Sequence, residues 1–72
     1  MKATLESTSK VVIVNGVLAR VWEGTTERGA RIAAFITRVT PVDGDPAEFE
    51  RDLTECRAPS PELEAFPARL IL

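Results

Sequence analysis

The stretch Lys10-Val11-Val12-Ile13-Val14-Asn15-Gly16-Val17-Leu18-Ala19-Arg20-Val21-Trp22-Glu23 decides the fold. Two β-branched, apolar runs flank Asn15-Gly16. A two-residue type I′ turn needs positive φ at both central positions, which Asn and Gly tolerate, so the pattern predicts a β-hairpin. Working outward, Gly24-Thr25-Thr26-Glu27-Arg28-Gly29 reads as a polar loop bounded by turn glycines, and Ala30 to Thr40 as a third strand. Such a hairpin pairs Val14 with Val17, Val12 with Ala19 and Lys10 with Val21. A six-residue second loop would pair Val21 with Ile32, Ala19 with Ala34 and Val17 with Ile36. One face then collects Val12, Val14, Val17, Ala19, Val21, Ile32, Ala34 and Ile36. The other collects Val11, Ile13, Leu18, Arg20, Trp22, Arg31, Ala33, Phe35 and Thr37.

Past a turn at Pro41 to Gly44, Asp45-Pro46-Ala47-Glu48 is a helix start, with Asp45 as cap, Pro46 at the first helical position and Glu48 as the acid of a capping box. Phe49, Leu53 and Cys56 make one narrow apolar stripe over 46–57, expected to pack on the aliphatic sheet face. Ala58-Pro59-Ser60-Pro61 ends that helix, and Ser60-Pro61 starts a short turn over Glu62 to Ala65. Phe66 to Leu72 reads as a fourth strand on a sheet edge. The expectation is one α+β domain over residues 1–72, in the order β-β-β-α-β, with residues 1–8 a flexible lead-in.

Composition narrows the chemistry. The chain has 72 residues, one Cys and no His. A chain of this size buries only about 60% of its extended surface, too little for two domains or a deep enclosed cleft. The missing His and single Cys exclude an intramolecular disulfide, a zinc finger and a Ser-His or Cys-His catalytic pair. Gly16, Gly24, Gly29 and Gly44 are isolated and form no phosphate cradle. Asp43, Asp45, Glu48, Glu50, Asp52 and Glu55 lack the spacing of a calcium loop and read as a solvated helix face. Cys56, near a helix C-terminus, reads as a buried small hydrophobe. No cofactor or metal is implied, and an enzyme is not expected. Met1 to Glu6 carries no secretory core and no apolar run approaches a membrane span, so a cytoplasmic location is expected. The net charge of −2 is split: residues 1–40 hold six cations and three anions, residues 41–72 three cations and eight anions.

The candidate binding set is Arg20, Trp22, Arg31 and Phe35 on the mixed sheet face, with Arg38 near its rim. Arginines beside aromatic rings suit a protein-binding hot spot. The same set suits base stacking with phosphate contacts. A third reading is structural: Trp22 and Phe35 covered by a terminal segment, with Arg20 and Arg31 lying across Trp22. Sheet-face DNA readers built from three strands and a helix share this element order. The overall acidity lacks their basic footprint.

Three segments carry a resemblance: Val21-Trp22-Glu23-Gly24-Thr25-Thr26-Glu27-Arg28-Gly29, then Phe35-Ile36-Thr37-Arg38-Val39, then Ala58-Pro59-Ser60-Pro61 with Arg69-Leu70-Ile71-Leu72. They resemble small uncharacterised open reading frames of proteobacterial phages and prophages. The resemblance implies a mobile-element setting, brings no catalytic residue, and favours a binder of a host protein. The expected function is a small non-enzymatic protein-binding module, acting on a protein partner or on itself as a homodimer. It would bind through this face or through an open strand edge. The alternative is a nucleic-acid-binding module using Arg20, Trp22, Arg31 and Phe35.

Overall fold

A computed structural model describes residues 1–64. Strands β1 (Ala3–Val14), β2 (Val17–Thr26) and β3 (Arg31–Ile36) form an antiparallel sheet in that spatial order. Helices α1 (Pro46–Thr54) and α2 (Pro61–Glu64) follow. The α+β class and the three-stranded meander are as the sequence predicts. The expected fourth strand over 66–72 lies outside the described residues.

The first hairpin forms as read. Asn15 and Gly16 have φ of 51° and 80°, the pair of positive values that a type I′ turn requires. Val14 faces Val17 and Val12 faces Ala19. Beyond Val11 the pairing departs from expectation. Val11 faces Arg20 and Ser7 faces Trp22, so Thr8, Ser9 and Lys10 together oppose Val21. This β-bulge replaces the expected Lys10–Val21 pair. Its groups find other partners. The Thr8 hydroxyl donates to the Val21 carbonyl at 2.7 Å, and the Ser9 amide donates to the Arg57 carbonyl at 2.8 Å. The Arg57 amide donates to the Ser7 carbonyl at 3.3 Å, making a short parallel bridge between Thr8 and Arg57. Thr8 is fully buried, as a satisfied hydroxyl can be.

Residues 3–8 belong to β1: Ala3 to Ser7 pair with Thr26 to Trp22. Gly24 is likewise inside β2 rather than in a turn, facing Leu5 on one side and Ile32 on the other. A Cβ there would run into the Thr4 carbonyl oxygen and stand 2.9 Å from the Leu5 Cα. The glycine thus serves close backbone approach. The loop proper is Glu27 to Ala30, closed by hydrogen bonds from the Gly29 amide to the Thr26 carbonyl and from the Thr26 amide to the Ala30 carbonyl.

The shorter loop resets the register of β3. Val21 faces Phe35, not Ile32. That displacement of three residues is odd, so every β3 side chain lies on the face opposite to the one expected. The valine face now holds Val12, Val14, Val17, Ala19, Val21, Glu23, Ala33 and Phe35. The tryptophan face holds Val11, Ile13, Leu18, Arg20, Trp22, Ile32, Ala34 and Ile36.

The Asp45 carboxylate caps α1 by accepting from the Ala47 amide at 3.0 Å, with Pro46 opening the helix. The helix ends at Thr54, three residues short of the expected 57, because Glu55 takes an extended conformation. The chain then runs beside Thr8. Cys56 therefore sits outside the helix and is exposed, not buried. Helix α1 buries no residue, and its Leu53 lines the same open depression as Trp22, on the opposite side from the aliphatic face it was expected to cover. After the Thr8–Arg57 bridge the chain continues on the valine face, where α2 buries Leu63. Ser60 caps α2 through its hydroxyl and carbonyl.

Candidate functional site

The five residues singled out in the sequence divide between the two faces. Arg31 pairs across from Thr25, and Phe35 from Val21, which puts both on the valine face. Arg20, Trp22 and Arg38 gather instead around an open depression of about 240 Å³, with Leu18, Ile36 and Leu53 among its walls. The expected stacking of Arg31 across Trp22 is thereby ruled out, and the four-residue face of arginines and aromatics does not form.

On the valine face the polar groups satisfy one another. Glu6 and Glu23 stand directly opposite each other, an unfavourable pairing of like charges. Arg57 reaches both, with Nε 3.2 Å from Glu6 and Nη1 3.1 Å from Glu23. Ser60 donates to Glu23 twice, from its amide at 2.8 Å and its hydroxyl at 2.6 Å. The Ser60 hydroxyl holds the Glu23 carboxyl below its ordinary value. Partial burial opposes the shift, while the Ser60 amide and Arg57 add to it. Nearby, Arg31 donates to both oxygens of Glu62 at 3.2 and 2.8 Å. That fork keeps the Glu62 carboxyl down to about 2 and pushes the Arg31 guanidinium up. A carboxylate so fully supplied with donors is a poor proton acceptor. The hollow beside Glu23 and Arg31, of about 430 Å³, is thus walled by a clasp joining the C-terminal third to the sheet. Sequence reasoning missed this cluster. Its partners are 31 to 51 residues apart, and no local pattern marks them.

The tryptophan face is arranged differently. Arg20 is half-buried and donates to the Thr8 carbonyl at 2.8 Å, a bond that supports the bulge, and lies 3.9 Å from the Cys56 sulfur. The three ion pairs found among the described residues all lie on the valine face or at its margin, so among those residues neither Arg20 nor Arg38 has a carboxylate partner. Trp22 is half-buried. Toward the hairpin tip the same face leaves Val11 48%, Ile13 66% and Leu18 65% exposed. Contiguous apolar surface rimmed by arginines is the composition of a contact surface. Among the described residues no group of His, Cys, Asp and Glu is placed to hold a metal ion. Among them also, no helix is long and apolar enough to cross a membrane.

Comparison with protein-family models, with curated proteins and with solved structures finds no match to this chain.

Proposed function

We propose that the chain is a small, non-enzymatic protein-binding module that engages its partner with the tryptophan face. The observation that carries this reading is the exposed row Val11, Ile13 and Leu18 running into Trp22, beside two arginines that no carboxylate among the described residues neutralises. Aliphatic side chains of this kind gain by leaving water and offer nothing to a phosphate. With Arg31 and Phe35 on the other side, of the candidate set only Arg20 and Arg38 remain on this face to meet a nucleic-acid backbone, and Arg20 is already committed to Thr8. The nucleic-acid alternative has correspondingly little support. The resemblance to phage and prophage reading frames fits a modulator of a host protein.

The test compares immobilised wild type with Leu18→Asp, an exposed position where the change leaves folding intact. Wild type should retain a defined protein partner, and Leu18→Asp should lose it while keeping its circular dichroism spectrum. Equal retention by the two refutes the use of this face. Binding to single- or double-stranded nucleic acid that weakens with salt would favour the alternative.

A further inference from the structure

We infer that the occupant of the tryptophan face is a second copy of this chain, whose α1 lies against that face in a two-fold dimer. The inference rests on the binding role proposed above and names the partner. Three observations converge. First, α1 is lightly packed, its apolar Phe49 and Leu53 only half-covered by its own chain. It has nine residues, none buried, although Phe49 and Leu53 form an apolar stripe. A helix this short is marginal in water unless that stripe is covered. Second, the sheet presents an uncovered apolar row of the matching kind at Val11, Ile13 and Leu18. Third, the charges complement each other. Arg20 and Arg38 are cations on the sheet face, and Glu48, Glu50 and Asp52 of α1 are exposed anions. None of the five forms an ion pair among the described residues.

Leu53 of α1 lines the same depression as Arg20, Trp22 and Arg38, so the helix borders the arginine face. A two-fold axis between two such surfaces sets each helix on the other copy's arginines, and both contacts form at once. Patch-on-patch pairing, by contrast, would bring four arginines together. The α2 segment, tied to Arg31 and Lys10 through Glu62 and Glu64, lies on the valine face, away from this contact.

The experiment is a charge exchange followed by light scattering after size exclusion. Wild type should be dimeric in the micromolar to millimolar range and should dissociate further as salt rises. Arg38→Glu should be monomeric, because the introduced carboxylate then meets an acidic helix. Glu48→Lys with Asp52→Lys should also be monomeric, because Arg38 then meets a basic one. An equimolar mixture of the two variants should restore a dimer, since both contacts are then complementary. A mixture that stays monomeric overturns the inference, and so does a wild type that is monomeric throughout. Acrylamide quenching of Trp22 separates that last failure from failure of the binding role. In a monomer, an accessible Trp22 leaves the face available to another protein. A shielded Trp22 that opens on deletion of residues 65–72 would assign the face to the chain's own C-terminus and remove both readings.

Discussion

Gly24→Ala should be the most damaging single methyl group that can be added to this protein. Gly24 sits in the middle of β2 with strands on both sides, and the new Cβ would run into the Thr4 carbonyl oxygen while standing 2.8 Å from its carbon and 2.9 Å from the Leu5 Cα. Each of these obstacles is backbone, so no rotamer change relieves the contact. Strand β1 must move away by more than an ångström, and the ladder around Thr4 and Leu5 loosens. Two weakened backbone hydrogen bonds at about 1 kcal/mol each, plus the overpacking itself, put the cost at about 3 kcal/mol. For a domain of this length that lowers the melting temperature by about 12–24 °C. Gly29→Ala supplies the contrast. Gly29 has φ of 86° and open space around its would-be Cβ, so only the left-handed conformation is penalised, by about 1 kcal/mol. Urea unfolding of the three chains, followed by tryptophan fluorescence, gives the ranking. A Gly24→Ala chain within about 0.5 kcal/mol of wild type, or more stable than Gly29→Ala, would refute the close approach and with it the pairing of Leu5 with Gly24.

Other consequences are checked by the same unfolding measurement. Thr8→Val keeps the shape of the buried side chain but strands the Val21 carbonyl, at a cost of about 1–3 kcal/mol, whereas Thr8→Ser retains most of the stability. Acid should weaken the fold through Glu23. Its carboxyl lies below the ordinary 4.5, so its stabilisation is fully present above that value and is lost as pH falls through the lower, folded value. Ser60→Ala removes the main cause of the shift and should flatten this acid dependence; Glu62, held down to about 2 but exposed, adds little to it. Asp45→Ala removes the α1 cap and should cost about 1 kcal/mol, seen also as loss of helical circular dichroism.

What could be read from the sequence was what is specified locally. Asn15-Gly16 carries its own turn geometry, so the first hairpin and its register were legible, as were the cap at Asp45 and the short turn begun by Ser60. The second hairpin was not. A glycine kept for close approach looks the same in sequence as one kept for a turn. Taking Gly24 for the latter lengthened the loop and turned β3 over. That single displacement moved Arg31 and Phe35 away from Trp22 and dissolved the expected site. The bulge was also hidden. Ser7-Thr8-Ser9-Lys10 has no apolar alternation, and its stability comes from Arg57, which lies 49 residues after Thr8. The charge split did have a structural counterpart: among the described residues, Glu48, Glu50 and Asp52 of α1 form no ion pair, and neither do Arg20 and Arg38 of the other half.

The parallel bridge between Thr8 and Arg57 has a consequence in time. Among the described residues, the amides of Ser9 and Arg57 supply the only backbone-to-backbone bonds from the C-terminal third to the sheet; the remaining hydrogen-bond ties involve side chains, on Glu23, Glu6, Arg31, Lys10 and Arg20. Those few bonds break together more readily than the ladders of β2. The C-terminal third should therefore lift away as a unit long before the sheet melts. Amide hydrogen exchange would register two clocks, a faster one at Ser9 and Arg57 and a slower one along the paired centre of β2. Among the described residues, the sheet of β1, β2 and β3 would then spend a small fraction of its life without α1 and α2.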